Sequence, residues 1–512
     1  MNTIIKKVSV LLSVTLLASA CGNDFLTNQP TERQAAGAPA TEGAIFSNIT
    51  SCYQILLFDS YANNQYNSVP LMSDLRSDDI YKGGGDAGDQ HQLYLLSQFD
   101  STPAETLGGL WSIYFTGLSR SNNAIIACEN AVDLSPEKQE RYLAEAKTLR
   151  AYFVHWLWKF WGNIPYFTEP LSTPPYMTEQ KSADEIYALI MDDLEYATGK
   201  NESGAYRLPM STTGAELGRI NLATAMMLKA RTVLYQKDAS KYAEITNDMA
   251  QIIGSGAYTL APSFSEMWLD KGEFGPESIF EVNHIPEGKT WASGWQGYGT
   301  NLPAFISPNG LSLGNETGDL KGGWGFGPVR AQTWAIFEEG DTRREGSINH
   351  FSSDLYTPRF QDTGYFLGKY AARVGYNPSG DVDLNFANNL RVFRYAETLL
   401  NYAELIALHG QAEAGGISAQ DCLDQIRRRA FGADSSIPLT ATNVKLERRR
   451  EFVGEGMRYW DLVRWGDTAL LNDNDSFSVR TWTPENKYLP IPQSEIDNTK
   501  GTDFELKQNP GY

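Results

Sequence analysis

Histidine is scarce in this sequence, and its few copies form no familiar catalytic or metal-binding motif. Only five histidines occur among 512 residues, and none belongs to a His-Glu-x-x-His pair, with which zinc peptidases hold their metal. Gly288-Lys289-Thr290 resembles the end of a phosphate-binding loop, but Asn283 stands where that loop needs its first glycine. The sequence therefore predicts no catalytic residues, no zinc-peptidase metal site, and neither a nucleotide nor another cofactor.

Cysteine is rarer still, with four copies in the chain. Cys21 belongs to the N-terminal leader, and the other three are too widely spaced for a zinc site or a disulfide framework. We expect Cys52, Cys128 and Cys422 to be buried as small apolar side chains.

Positive charge is also in deficit. The chain has 43 basic and 62 acidic residues, a formal net charge of −19, which becomes −21 if residues 1–20 with Lys6 and Lys7 are removed. Nucleic acid is therefore excluded as a partner, because its phosphates require a basic surface. An acidic surface also repels anionic lipids, so attachment to a membrane would need a different device.

Long hydrophobic runs are missing except for one near the N-terminus. Lys6 and Lys7 precede an apolar run from Val8 to Leu17, which is too short to cross a bilayer core of about 30 Å and fits a secretory signal. The run ends at Ala18-Ser19-Ala20-Cys21, which resembles a lipoprotein cleavage site with lipid attached to Cys21; cleavage that leaves a free thiol is the alternative. We predict a signal peptide over 1–20 and a lipid-anchored tether over 21–44.

Amphipathic segments dominate the remaining chain and predict a mostly α-helical protein. Alanine and leucine patterns resemble tetratricopeptide-like helix-turn-helix pairs, although a strict repeat length is absent. We expect a helical scaffold over 45–257 and 391–512, with an irregular insertion over about 258–390 in which Ser278 to Val282 can form a strand. Helices are predicted over Ile45–Leu71 with a break at 61–68, Leu107–Val132, Ser135–Gly162, Ala183–Ala197, Ile220–Tyr235, Tyr242–Ile253, Arg391–His409, Ala419–Arg429 and Val444–Trp465.

The stretch from Trp291 to Gly327 is a long predicted loop that is rich in both glycine and aromatic residues. It holds ten glycines, six aromatic residues and three charged ones. A disordered segment would lack the aromatic residues, so a ligand-binding loop is favoured. Flat rings beside glycines suit a surface that stacks on ring-shaped ligands, although any single ring could instead pin the loop to the core.

Two further polar segments allow more than one interpretation. Asp74 to Asp89 combines acids with glycines and forms a polar loop, in which a calcium ion near Asp86 and Asp89 is conceivable although the EF-hand spacing is absent. Three consecutive arginines, at 448–450, lie beside Glu447, Glu451 and Glu455, and we expect these residues to form a structural ion-pair network at a helix junction.

Several motifs resemble the SusD/RagB family of outer-membrane nutrient-binding lipoproteins. The most specific run covers 447–466 and includes Glu455-Gly456-Met457-Arg458-Tyr459-Trp460-Asp461, with Trp460 where the family often has phenylalanine. The resemblance extends over the whole chain through Cys21, Leu149-Arg150-Ala151-Tyr152, Gly162-Asn163-Ile164-Pro165, Gly218-Arg219-Ile220, Arg394-Tyr395-Ala396-Glu397, Asn401-Tyr402-Ala403-Glu404, Leu489-Pro490-Ile491-Pro492 and Gln508-Asn509-Pro510-Gly511-Tyr512.

This resemblance implies a lipid-anchored protein on the outer face of the outer membrane, without enzymatic activity. Such proteins capture oligosaccharides or polysaccharides and act as a lid on a SusC-like TonB-dependent transporter. The ligand-binding residues expected from the two loops are Trp291, Trp295, Tyr298 and Trp324 for stacking, and Arg76, Asp86, Asp89 and Asn301 for hydrogen bonds.

Two alternatives to glycan capture remain open at this point. Relatives of the RagB type are linked to peptide uptake, so a surface lipoprotein that binds peptides or proteins is the first. A glycoside hydrolase is the second, and it would require two carboxyl groups about 5 to 9.5 Å apart in the pocket.

Overall fold

The structure is a computed structural model, and it describes residues 38–58, 61–62, 65–171, 176–286, 290–293, 299–313 and 318–512. Cys21 and the predicted signal peptide lie outside these residues. Helix α1 (Glu42–Leu56) begins within the predicted tether, because Thr41 caps it and Ala40 is buried beside Ala131.

The described residues form sixteen α-helices and ten short strands, which confirms the mostly α-helical prediction. After α1, the helices are α2 (Val69–Leu75), α3 (His91–Gln98), α4 (Gly108–Glu129), α5 (Pro136–Trp161), α6 (Ala183–Thr198), α7 (Leu222–Gln236), α8 (Tyr242–Gly254), α9 (Leu302–Ile306), α10 (Ala331–Ala335), α11 (Thr342–Ser347), α12 (Tyr395–Ala407), α13 (Ala419–Phe431), α14 (Ala441–Phe452), α15 (Arg458–Trp465) and α16 (Gln493–Thr499). Nine of these helices contact one another in the chain order expected of helix pairs: α1 packs on α4, α4 on α5, α5 on α6, α6 on α7, α7 on α8, α8 on α12, and α12 on both α13 and α14.

The strands pair into five antiparallel two-stranded sheets. The longest pair joins β5 (Ser278–Val282), as predicted, to β8 (Leu390–Arg394), with Val282 opposite Leu390. The other pairs are β1 (Tyr61–Ala62) with β2 (Gln65–Tyr66), β3 (Ile164–Pro165) with β4 (Gln180–Lys181), β6 (Ile348–His350) with β7 (Tyr365–Leu367), and β9 (Asp473–Asn474) with β10 (Val479–Arg480).

Two helices are shorter in the structure than the sequence predicts. Residues 391–394 belong to strand β8, where Val392 and Phe393 are buried against β5, and helix α12 starts only at Tyr395. The predicted helix Val444–Trp465 is two helices, because Gly454 and Gly456 adopt left-handed φ values of 80° and 73° between α14 and α15.

The charged cluster at 447–455 is a structural ion-pair network, as predicted, and it is buried. Arg394 reaches Glu451 at 3.0 Å and Glu455 at 2.7 Å, while Arg343 reaches Glu447 at 2.8 Å. Since α11, β8 and α14 contribute these groups, the network joins the irregular region to the helical scaffold.

The three cysteines of the described residues, Cys52, Cys128 and Cys422, are buried, as expected, and form no disulfide with one another. Among the described residues, no helix combines the length and apolar character needed to cross a bilayer.

Candidate functional site

Aromatic rings in the irregular region form a continuous row that runs from the core to the surface. Phe305 stacks on Tyr66 at 3.8 Å and on Phe326 at 4.1 Å between ring centroids, and all three side chains are buried. Trp324 meets Phe305 edge-on at 5.5 Å and is half-buried. Trp291 then stacks on Trp324 at 5.8 Å with 26° between the ring planes, and 46% of it is exposed. We call Trp291 and Trp324 the tryptophan pair.

The backbone around Trp324 is held by close approaches that only glycine permits. Trp324 N donates to Ala304 O at 2.7 Å, and Phe326 N donates to Phe305 O at 2.9 Å. A Cβ on Gly323 would lie 2.0 Å from Ala304 O, so a side chain there would push the two segments apart. The glycines predicted to make a loop therefore bring Trp324 onto helix α9.

Trp291 is held in place by a different segment of the chain. Its backbone N–H donates to Asp381 Oδ2 at 2.7 Å, which ties it to the segment between β7 and β8. Neighbouring apolar side chains, Ile285 and Val382, are also exposed on these two segments. The outer end of the aromatic row thus lies on two irregular segments.

The predicted polar loop lies alongside Trp324. Gly84 N donates to Gly325 O at 2.9 Å, and Gly327 N donates to Lys82 O at 2.9 Å. Gly83 has a left-handed φ of 70°, and a Cβ there would lie 2.3 Å from Gly325 O. We call residues 83–89 the glycine loop; its contacts confirm that the two loops singled out from the sequence meet.

Lys82 organises the inner side of the glycine loop. Its Nζ donates to Asp86 O at 2.7 Å and to Asp89 O, and it lies 4.9 Å from the centroid of the Phe326 ring. Burial lowers the pKa of Lys82 to about 8, although Asp89 and Asp86 oppose this shift. The Lys82 side chain therefore bridges the backbone carbonyl groups of Asp86 and Asp89 from the inner side of the loop.

The carboxylates of the glycine loop shape its turn and remain near the surface. Asp86 Oδ1 accepts from Gly88 N at 2.7 Å and from Asp89 N at 3.0 Å, while Asp89 Oδ2 accepts from Gly85 N at 2.8 Å. Within the described ranges, no group of three or more histidine, cysteine, aspartate or glutamate residues is arranged to hold a metal.

Arg359 is a further polar residue at this site, and no sequence pattern predicts it. Its Nη1 donates to Trp324 O at 2.9 Å, and its side chain passes beside Gly85 and Gly325. It is partly exposed and forms no ion pair with any carboxylate of the described residues. A lone arginine in an irregular segment has no sequence signal, because its role comes from contacts with residues far away in the chain.

Two other predicted site residues, Arg76 and Asn301, are buried. Arg76 is 1% exposed, and its guanidinium lies 4.0 Å from the Tyr459 ring and donates to Tyr459 Oη at 2.7 Å, so it is not available to a ligand. Asn301 is also 1% exposed and precedes helix α9. Trp295 and Tyr298 lie outside the described residues.

A glycoside hydrolase is the enzymatic alternative left open by the sequence, and the chain also contains a Gly-x-Ser-x-Gly sequence, which in serine hydrolases carries the nucleophile. Residues 310–313 begin a Gly-x-Ser-x-Gly sequence, yet their backbone is irregular and follows a single bridge residue, Asn309, instead of a strand. Asp86 and Asp89 are the acids predicted for the site, and each holds backbone N–H groups of its own turn.

Comparison with known families gives two matches along the chain. The profile described as "SusD family" matches residues 280–512, and the profile described as "Starch-binding associating with outer membrane" matches residues 89–209.

Solved structures resemble the chain over nearly its full length. Surface glycan-binding protein A from Bacteroides fluxus is 62% identical with a TM-score of 0.88, over 93% of this chain and 100% of that one. Surface glycan-binding protein A from Bacteroides thetaiotaomicron, in complex with laminarihexaose, is 36% identical with a TM-score of 0.82, over 92% and 100%. A protein described as a laminarin-binding SusD-like protein is 29% identical with a TM-score of 0.80, over 92% and 100%.

Proposed function

The chain belongs to the SusD/RagB family, and from that membership we propose that it captures oligosaccharides at the cell surface by stacking them on the tryptophan pair. Its structural relatives are surface glycan-binding proteins, which supports glycan binding over peptide binding and over hydrolysis. The observation that carries the proposal is the aromatic row, whose inner rings are buried while its outer ring, Trp291, is 46% exposed.

Stacking is the main source of affinity in this proposal. A hydroxyl group exchanges bonds with water for bonds with protein and gains only about 0.5–1.5 kcal/mol per bond. Burial of apolar surface adds about 25 cal/mol per Å², and each sugar ring covers part of an indole. Because Trp324 is fixed by Phe305 and by backbone hydrogen bonds, little conformational entropy is lost when a ligand covers it.

The glycine loop supplies the polar part of the proposed site. Asp86 and Asp89 keep carboxylate lone pairs beyond those used by the turn, so they can accept from sugar hydroxyls. Lys82 keeps the loop in place with its bonds to Asp86 O and Asp89 O. Trp295 and Tyr298 remain proposed members of the stacking surface.

We assign the ligand to the laminarin class of glucans. A relative that is 36% identical is described in complex with laminarihexaose, and another relative is described as laminarin-binding. Because one matching profile is described as starch-binding, a starch-type glucan is the comparison that the experiment must include.

Attachment and delivery complete the proposed role. Lipid on Cys21 would anchor the acidic protein to the outer membrane, facing the cell surface, and the captured glycan would pass to a SusC-like TonB-dependent transporter. Cys21→Ser should shift the protein from the membrane fraction to the soluble fraction; unchanged fractionation would contradict lipid anchoring at this residue.

The binding experiment uses the soluble chain that lacks residues 1–21. Calorimetry against laminarihexaose, maltohexaose, cellohexaose and a peptide mixture should give heat of binding with laminarihexaose. Binding of peptides alone would favour the RagB-like alternative, and release of reducing sugar would favour a hydrolase.

A further inference from the structure

A small gap lies in front of Gly85, between two side chains of opposite charge. A Cβ built on Gly85 would lie 3.0 Å from Arg359 Nη2 and 3.2 Å from Asp89 Oδ2. The two groups are therefore no more than 6.2 Å apart, the sum of these distances, yet they do not come within the 4.0 Å of an ion pair. We call this gap the Gly85 notch.

Both flanking groups are fixed by the protein and keep hydrogen-bonding capacity. Arg359 Nη1 donates to Trp324 O at 2.9 Å, and among the described residues this is the one hydrogen bond of a guanidinium that has five N–H donors. Asp89 Oδ2 accepts from Gly85 N at 2.8 Å, and a carboxylate has about four acceptor sites. Gly85 is exposed, while Arg359 and Asp89 are partly exposed, so a ligand can reach all three.

Resting on the proposed function, we propose that the Gly85 notch binds one hydroxyl group of a neutral glycan and that Arg359 is a ligand-binding residue that determines specificity. A hydroxyl both donates and accepts, so it can accept from Arg359 and donate to Asp89 over hydrogen bonds of about 2.7–3.2 Å. Gly85 lets the ligand approach the backbone because no side chain fills the gap.

The opposite charges of Arg359 and Asp89 exclude charged ligand groups from the notch. A carboxylate of an acidic glycan would be repelled by Asp89, and an ammonium group would be repelled by Arg359. A peptide carbonyl could accept from Arg359 but could not donate to Asp89. The notch therefore favours uncharged sugars, and because Arg359 is bonded to Trp324 O, it places that hydroxyl next to the stacking surface.

Gly85→Ala tests the notch with little other change. Gly85 has no positive φ, so alanine suits its backbone. Gly43, in helix α1, also has no positive φ, and a Cβ there would meet nothing within 4 Å, which makes Gly43→Ala a control outside the glycine loop. Affinity for laminarihexaose is measured by calorimetry for wild type, Gly85→Ala, Gly43→Ala, Arg359→Met and Trp324→Ala, with thermal unfolding of each.

We expect Gly85→Ala and Arg359→Met to bind at least about tenfold more weakly, a change of about 1.4 kcal/mol, and Gly43→Ala to bind like wild type. The double variant of Gly85 and Arg359 should lose no more affinity than the weaker-binding single variant, because both changes remove the same hydroxyl contact. The unfolding midpoint of Gly85→Ala should stay close to that of wild type, and salt should not alter the affinity of wild type, since the ligand is neutral.

The possible results separate the two proposals. If Gly85→Ala binds like wild type while Trp324→Ala loses affinity, the notch is overturned and the stacking surface stands. An equal loss in Gly43→Ala would also overturn the notch. If wild type does not bind laminarihexaose, both the proposed function and the notch fail.

Discussion

The indole rings of Trp291 and Trp324 lie 5.8 Å apart with their planes 26° from parallel, although they come from opposite ends of the longest predicted loop. The inner ring is tied to helix α9 through Phe305, and the outer ring is tied to Asp381 through its backbone. Two segments that are irregular by themselves thus hold a common aromatic surface.

Substitution of the two tryptophans should separate binding from stability. Trp291→Ala should weaken glycan binding with little effect on thermal unfolding, because the ring is 46% exposed. Trp324→Ala should also lower the unfolding midpoint, since it removes contacts with the buried Phe305. Trp482→Ala, at a half-buried ring that contacts Tyr459, serves as the control and should leave binding unchanged. Equal binding by wild type and Trp291→Ala would remove Trp291 from the site.

Lys82 should give the protein a distinct stability profile at alkaline pH. Its pKa is lowered to about 8 from a usual value of 10.5, so between these pH values the unfolded state binds more protons than the folded state. The contribution of this group to the free energy of unfolding therefore rises with pH across that window. In urea unfolding, the free energy of unfolding of wild type minus that of Lys82→Met should increase from pH 8 to pH 10.

The titration of other lysines does not change the difference between wild type and Lys82→Met. The pKa of Lys369 is also lowered to about 8 by burial, but Lys369 titrates in both proteins and its effect cancels. A free-energy difference that stays constant from pH 8 to pH 10 would show that Lys82 is not buried as described.

The buried ion-pair network should be far more sensitive to substitution than an exposed pair. Arg394→Met leaves Glu277, Glu451 and Glu455 without one of their shared cations, and we expect a loss of about 3–5 kcal/mol in the free energy of unfolding. Arg344→Met breaks an exposed pair with Glu345 and should cost at most about 1 kcal/mol. Similar losses for the two variants in chemical unfolding would contradict the burial of the network.

The carboxylates of the same network should make the stability of the protein depend on pH in acid. Burial would raise the pKa of Glu451, but Arg429, Arg394 and Arg343 outweigh it and lower the pKa to about 2. The stability from this group is therefore present above its usual pKa of 4.5 and is lost as the pH falls toward 2. In Arg394→Met, acid unfolding should begin at a higher pH than in wild type.

Two glycines near the C-terminus offer a test of backbone packing. A Cβ on Gly456 would lie 2.6 Å from Pro70 Cα, whereas a Cβ on Gly466 would meet nothing within 4 Å; both residues have left-handed φ values. Gly466→Ala should cost about 1 kcal/mol for the backbone conformation alone. Gly456→Ala should cost clearly more, because helix α2 must move; equal unfolding midpoints would contradict this contact.

The helical scaffold could be predicted because its determinants are local. The helix predicted from Ser135 starts there in the structure, because Ser135 caps it and Pro136 occupies its first turn, and the predicted helix at 183–197 starts at a capping box of Ser182 and Glu185. Helix α3 is not predicted, because left-handed Gln90 and Phe99 bound it and neither residue type signals that conformation. The sequence predicts helix where strand β8 lies, because its partner β5 is more than a hundred residues earlier and pairing at such distance leaves no local pattern.

The candidate site was predictable in its parts but not in its assembly. Trp291 and Trp324 were chosen because rings among glycines are unusual in loops, and they do stack on each other. Arg76 was chosen for its polar segment, yet it is buried against Tyr459, since charge pattern alone does not report burial. Arg359 was missed because its position beside Gly85 and Trp324 depends entirely on tertiary contacts.

The central claim is that the tryptophan pair binds a glycan, and calorimetric titration of laminarihexaose into wild type and Trp324→Ala tests it most directly. We expect wild type to bind with a Kd in the micromolar range, about −8 kcal/mol, and Trp324→Ala to bind at least about tenfold more weakly while it still unfolds cooperatively. Equal affinity of the two folded proteins, or no heat from wild type with any glycan of the panel, would contradict the claim.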